Sequence, residues 1–228
     1  MTVASAPSTN APDLGQIYRE SRKRLVELIR PIAADTGSIP VAACPGWTVH
    51  DVVAHLVAVA EDVLAGRLMR PPSDEQTAEQ VDRRRERPLP DVLQEWEALA
   101  PAFESVIAGA QVWPGALDML SHEHDVRGAI GHAGARDAEG IRAGAAFLVA
   151  SLATPVPMVV RMDGIDRPVG EPAEGPALEL ETDSFEAFRF RLGRRSRSQL
   201  AGMRWSADPS PVLDHLCIFG PSVSDIVE

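Results

Sequence analysis

Three residues of the 228-residue chain have types and spacings suited to holding one divalent metal ion: His55, Asp118 and His122. Asp118 and His122 lie in Leu117-Asp118-Met119-Leu120-Ser121-His122-Glu123-His124-Asp125-Val126-Arg127. On a helix they are i and i+4, one above the other on one face. His55 follows Val52 by three and precedes Val59 by four, so its side chain points to the interior or rim of whatever that helix packs against. Two imidazole nitrogens and one carboxylate oxygen with a fourth position open is the ligand set of a catalytic zinc site. Such sets are built in helical bundles from facing helices. The competing reading is an Asp–His hydrogen bond on a solvated helix, with His55 a hydrogen-bonded core histidine.

Neighbouring motifs carry less. His122-Glu123 begins like a HExxH zinc motif, but position 126 is Val, so the second ligand is missing. His122 and His124 are two residues apart and point about 200° from each other on a helix. His124 is therefore expected to be exposed or to sit behind a ligand. Cys44 lies just before a helix N-terminus, where a thiolate would be stabilised. No His or second Cys is near it in sequence, so an inert or buried thiol is expected. Trp47 is expected to pack the entry to the second helix. Arg127 is expected to pair with Asp125 or Glu123.

Arg189, Arg191, Arg194, Arg195, Arg197 and Arg204 make a basic stretch. Phe185, Phe188 and Leu192 define a buried side there, so a solvated arginine face is expected. One or two could instead clamp the carboxylates of an acidic substrate or cofactor. Arg194 is the best placed, because it follows the helix-ending Gly193. The run Arg83-Arg84-Arg85-Glu86-Arg87 reads as a solvated face. No phosphate-cradling glycine loop and no GxSxG elbow occurs.

These residues need elements to position them. Residues 1–11 read as a loose tail. Leu14, Ile17, Leu25, Leu28, Ile29 and Ile32 share a helical face. Cys44-Pro45-Gly46-Trp47 is a turn. Thr48 then caps a helix whose stripe is Val49, Val52, Val53, Leu56, Val59, Val63 and Leu64, with Asp51 in the capping-box position. Residues 70–90 read as a long polar connection with room for a short helix. A third helix spans about 91–107. A fourth spans about 114–130, with Pro114 in its first turn and Gly131 past its end. A further helical piece spans 138–152. After Pro155 the pattern changes to strands at 158–162 and 178–181, a helix from Ser184 to Gly193, and short helices around Leu200 and Val212–Leu216. The expected fold class is α+β: a helical bundle over residues 12–154 and a small α+β unit over 155–228.

Composition limits the partners. Apolar residues at 45% and charged residues at 24% describe a globular chain and exclude a wholly disordered one. A net charge of −11 argues against general nucleic-acid binding. No apolar run is long enough to cross a membrane, and the polar start is not a secretory signal. Two cysteines without a CxxC suggest a reduced, cytoplasmic protein. Lys23 is the only lysine beside many arginines and alanines, which points to a GC-rich genome.

The segment from Cys44-Pro45-Gly46-Trp47-Thr48 through His55-Leu56 resembles the first motif of the mycothiol-dependent maleylpyruvate isomerase family. That family belongs to the DinB-like metal-binding four-helix bundles. Asp118-x-x-x-His122 falls where the family carries a carboxylate followed four residues on by His. Gly193-Arg194 through Leu200 resembles a stretch of the family's small C-terminal domain. The resemblance thus runs along nearly the whole chain. It implies that His55, Asp118 and His122 bind Zn2+ or a similar divalent ion, and that the metal activates mycothiol, an actinobacterial sugar thiol. The sequence departs in carrying Asp118 where the isomerase has Glu. The side chain is one methylene shorter, so the metal must sit closer to the helix or water must fill part of the shell.

A thiol of pKa about 8.5 is mostly protonated at neutral pH, and coordination to a divalent metal removes that proton. The thiolate can add to a cis double bond, permit rotation and leave, as in an isomerase. It can also stay on a small-molecule electrophile as a conjugate, as in an S-transferase. The same metal could activate water for hydrolysis, and a non-catalytic metal- or ligand-binding regulatory protein would use the same scaffold. The ligand triad does not choose among these.

Overall fold

The computed structural model describes residues 11–68, 70–170 and 175–228. The expected loose tail lies outside the described residues except for Ala11. The helices are α1 (Leu14–Ile29), α2 (Ala33–Thr36), α3 (Val49–Leu64), α4 (Asp74–Asp82), α5 (Leu89–Ala110), α6 (Trp113–Ala129), α7 (Glu139–Ala150), α8 (Ser184–Arg191) and α9 (Arg197–Ala201). The strands are β1 (Met158–Met162), β2 (Ile165–Val169), β3 (Leu178–Thr182) and β4 (Arg204–Trp205). This is the expected α+β class: a four-helix bundle of α1, α3, α5 and α6, followed by a small α+β unit.

Local sequence explains the helix ends. Thr48 accepts from the Asp51 amide while the Asp51 carboxylate accepts from the Thr48 amide, the reciprocal cap predicted from sequence. Ser73 and Gln76 make the same box at the start of α4. Pro114 sits in the first turn of α6, where its missing N–H costs no hydrogen bond. Burial of Leu14, Leu25, Ile29, Val52, Val53, Leu56, Leu93, Trp96, Phe103 and Leu120 forms the bundle core. Tyr18 and Trp96 are fully enclosed, with the indole N–H donating to the tyrosine hydroxyl at 2.9 Å.

The sheet has the order β2-β1-β3-β4. β1 pairs antiparallel with β2 and parallel with β3, and β4 closes antiparallel on β3. α7 touches α1 and α6 on one side and packs on α8 on the other, joining bundle and sheet unit. Gly144 makes that crossing close: a Cβ there would lie 2.9 Å from the Phe188 ring.

Several sequence expectations need correction. β2 and β4 were not expected. The last expected helix, around Val212–Leu216, is only a 3-10 turn at Leu213–His215, because Pro209 and Pro211 break the approach to it. The arginine face of α8 is not solvated. Arg189 has no exposed surface, and Arg191 and Arg195 are buried. Arg191 donates to the carbonyls of Leu148 (3.0 Å) and Leu216 (2.6 Å), and Arg195 pairs with Glu186 at 2.7 Å, so their charges go inside with partners. Arg84 in the 83–87 run is likewise buried and paired with Glu61 and Glu95. Arg85 remains exposed.

Candidate functional site

The structure brings His55, Asp118 and His122 together. His55 projects from α3, whose apolar stripe turns its ring into the bundle; Asp118 and His122 stand one turn apart on α6. Asp118 Oδ1 lies 3.4 Å from His122 Nε2, and Asp118 Oδ2 lies 3.6 Å from His55 Nε2. One ligand atom from each residue falls within 4.8 Å of the others. The shorter carboxylate thus faces both imidazoles, one oxygen to each. The two histidines are buried and Asp118 is 30% exposed at its side chain, so the cluster opens to solvent on the Asp118 side.

The Nδ1 atoms are engaged elsewhere. His122 Nδ1 donates to Asp125 Oδ2 at 2.9 Å. His55 Nδ1 is 3.0 Å from Gln80 Oε1. Gln80 donates in turn to Asp62 Oδ2 at 2.9 Å. Both Nε2 atoms therefore turn toward Asp118. Asp118 Oδ2 is buried and lacks a hydrogen-bond partner. An orphaned carboxylate oxygen beside two converging imidazole nitrogens is a donor set that a divalent cation would satisfy.

Electrostatics follow from this crowding. Burial raises the Asp118 carboxyl, but the imidazoles of His55 and His122 outweigh it and hold the pKa below the ordinary range. Burial likewise opposes the charged form of His122. The charge of Asp118, with hydrogen bonds to Asp118 and Asp125, wins and raises its pKa well above 6.5. Burial also disfavours ionised Asp125, yet Arg194 and Arg189 hold it well below the ordinary value. Arg189 donates to Asp125 at 2.7 Å and to the Ser121 carbonyl at 3.1 Å, and also pairs with Glu228.

Arg194 does not face the Nε2 side of His122. Its guanidinium lies 3.0 Å from Asp125 Oδ2 and donates to the Leu192 carbonyl at 2.8 Å, with 17% of the side chain exposed. Trp47 does more than pack a helix entry. Its ring lies 5.2 Å from that of His55 and stacks at 6.2 Å over that of His122. The Cys44 thiol, expected to be inert or buried because no histidine is near it in sequence, lies 3.8 Å from His122 Nδ1 and donates to Asp125 Oδ2 at 3.4 Å. Cys44, His122 and Asp125 form a second compact group. A cation there would face Arg189 and Arg194, which already neutralise Asp125, so that group is poorly suited to one.

His124 points away from the cluster as expected, but it is buried rather than exposed. It packs edge-on to Phe185 at 4.8 Å, with Nε2 unpartnered. Arg127 pairs with Glu123 at 3.1 Å, one of its two expected partners. Sequence reasoning missed Gln80 and Asp125 as partners of the two histidines. For Asp125, the signal available was its position three residues after His122.

Fold and site together define an α+β protein whose helical bundle carries a cluster of two buried histidines and one partly exposed carboxylate. The chain belongs to the family described by the mycothiol maleylpyruvate isomerase N-terminal domain, whose model matches residues 18–139. No curated protein matches the sequence. Among solved structures, the crystal structure of a histidine-to-alanine mutant of the mycothiol-dependent maleylpyruvate isomerase is similar. It has a TM-score of 0.59 and 12% identity, over 86% of this chain and 92% of that one. The crystal structure of the mycothiol-dependent maleylpyruvate isomerase itself gives 0.55 and 13%, over the same shares. At these identities the likeness is one of fold, and it includes the part of the chain beyond the family model.

Proposed function

We propose that the chain is a mycothiol-dependent metalloenzyme acting on a small electrophile, as an isomerase or S-transferase of the cytoplasm. We divide it into a metal-binding bundle over residues 12–154 and a small α+β domain over 155–228. His55 Nε2, His122 Nε2 and the Asp118 carboxylate would hold the metal. The donor set of two imidazoles and one carboxylate suits zinc. A bound divalent ion would supply Lewis acidity, shifting a thiol from its ordinary pKa of about 8.5 to the thiolate at neutral pH. The observation that carries this reading is the convergence of the three donors on one another, with each Nδ1 already committed to another residue.

The remaining residues prepare the site. Asp125 takes the Nδ1 proton of His122 into a hydrogen bond and so orients the ring. Asp118, on the open side, marks where thiol and electrophile would enter. Trp47 walls the imidazoles with an apolar surface. Arg194 pairs with Asp125 and keeps 17% of its side chain exposed, and we assign it to bind a carboxylate of the substrate or the thiol.

The test is metal content by mass spectrometry on protein purified without a metal-binding tag, beside His122→Ala. Maleylpyruvate turnover is then followed with and without mycothiol. Near-stoichiometric zinc that the variant loses, with thiol-dependent turnover, is expected. Wild-type protein that takes up no zinc, or turnover indifferent to the thiol, would overturn the reading.

A further inference from the structure

We infer that Gln80 is a positioning residue for His55. In this assignment an Asp62–Gln80–His55 relay fixes that imidazole in the Nδ1–H form and aims its Nε2 lone pair at Asp118. The functional consequence rests on the metal reading above; the tautomer is a property of the chain alone.

The argument begins at the outer end of the relay. Asp62 sits near the end of α3 in a clasp of two arginines, with Arg83 and Arg67 each at 2.7 Å. Burial opposes its charge, but hydrogen bonds from Arg83, Gln80 and Arg67 lower its pKa to about 2. An ionised carboxylate only accepts hydrogen bonds. The end of the Gln80 amide that meets Asp62 at 2.9 Å must therefore be the NH2 group. That leaves the Gln80 carbonyl oxygen facing His55 Nδ1 at 3.0 Å, and a carbonyl oxygen can only accept. Nδ1 must then carry the proton. At alkaline pH, where the imidazole is neutral, it has one N–H, so Nε2 is left with its lone pair.

Burial makes this orientation hold. Gln80 is 1% exposed and His55 5% exposed, so solvent is poorly placed to replace either partner. A flip of the Gln80 amide would set its carbonyl against the Asp62 carboxylate and leave that buried carbonyl without a donor. The two candidate ligand histidines are thus oriented by different chemistry. His122 is backed directly by a carboxylate, and His55 by a neutral amide that is itself locked by a carboxylate one step further out. Asp62 controls the His55 tautomer without placing a second negative charge against its ring.

The test uses the full-length protein with 15N-labelled histidine, freed of metal by a chelator. Long-range 1H–15N correlation at alkaline pH reads each tautomer directly, with the His55 signals assigned by difference from His55→Asn. Wild type is expected to show His55 as the Nδ1–H form. Gln80→Met keeps the length and volume of the side chain but removes the acceptor. It is expected to populate the Nε2–H form and to weaken zinc binding about 10- to 100-fold in competition with a chromophoric chelator. Asp62→Asn, which lets the Gln80 amide turn, is expected to shift both readouts in the same direction by less.

A wild-type His55 in the Nε2–H form would overturn the relay. So would a folded Gln80→Met protein whose tautomer and zinc affinity match wild type within about twofold. If Gln80→Met does not fold, the wild-type tautomer decides alone. If the protein binds no zinc, the metal reading fails while the NMR measurement still decides the relay.

Discussion

His122 and Asp125 stand three residues apart on α6, with Nδ1 and Oδ2 separated by 2.9 Å, and Asp125 has no exposed side-chain surface. The same carboxylate receives Arg189 at 2.7 Å and Arg194 at 3.0 Å from the C-terminal part of the chain. Asp125 therefore ties one candidate metal ligand to the α+β unit. Asp125→Asn preserves shape but leaves Arg189 buried without its full counter-charge. We expect a loss of about 3–5 kcal/mol in urea unfolding at neutral pH. A loss below about 1 kcal/mol, the size of an exposed ion pair, would show that this connection is dispensable.

The parts of this arrangement differed in how readable they were from sequence. Asp118 and His122 are one helical turn apart, so their shared face follows from spacing, and the stripe of α3 sets the direction of His55. The helices α1, α3 and α5 are legible for the same reason, since each presents one apolar face, whereas α6 is buried on nearly all sides and is legible from Pro114 and Gly131 at its ends. Gln80 is not legible, because α4 lies in a polar stretch where no periodicity separates a buried glutamine from a solvated one. Arg189 was misread because α8 is enclosed on several sides. Its arginines go inward with carboxylates and carbonyls as partners, and an amphipathic pattern cannot show that. β2 was missed because it is an edge strand, largely exposed and carrying Pro168, which such a strand tolerates without showing apolar alternation.

Zinc affinity is expected to fall with pH more steeply than for ordinary histidines. Burial works against protonating His122, but Asp118 and Asp125 overcome it and keep the proton on to a pH well above 6.5. In the metal-free protein this pairing contributes stability that is full below 6.5 and is lost as pH rises through the raised value. Metal must displace that proton, so affinity should drop about tenfold per pH unit for the one proton across neutral pH. Chelator competition at several pH values checks the slope, and calorimetry in buffers of different ionisation enthalpy counts the proton. Affinity that does not vary between pH 6 and 8 (roughly the range where a free imidazole would begin to compete) would remove His122 as a ligand.

Gly15 of α1 and Gly109 of α5 should respond oppositely to alanine. A Cβ at Gly15 would lie 2.6 Å from the Glu104 carbonyl oxygen and 2.8 Å from Ala108 Cβ. Main chain cannot yield as a flexible side chain can, so Gly15→Ala is expected to cost about 1–3 kcal/mol. Gly109, inside α5, has nothing within 4 Å of an added Cβ. Gly109→Ala should instead stabilise by about 0.5–1 kcal/mol through helix propensity. Thermal unfolding of both variants is the check: a Gly15→Ala protein as stable as wild type or more so would refute the close crossing of α1 and α5, and a destabilised Gly109→Ala would refute the gain from helix propensity.

His124 should make the protein sensitive to acid by a route separate from the cluster. Burial presses its pKa down from 6.5 to about 3, because the ring is packed against Phe185 with Nε2 unpartnered. The folded protein keeps this imidazole neutral while the unfolded chain protonates it. Its contribution is therefore intact above pH 6.5 and is lost progressively as pH falls toward 3. At pH 5 the loss relative to pH 7 is about 2 kcal/mol. His124→Phe retains an aromatic ring in the same space and has nothing to titrate. Unfolding free energies of wild type and variant at pH 7 and pH 5 give a double difference in which the carboxylates common to both cancel. The variant should lose about 2 kcal/mol less than wild type over that interval. Equal losses would mean that His124 gains its proton in the folded state as readily as in the unfolded chain, and that its burial is not what sets the acid limb.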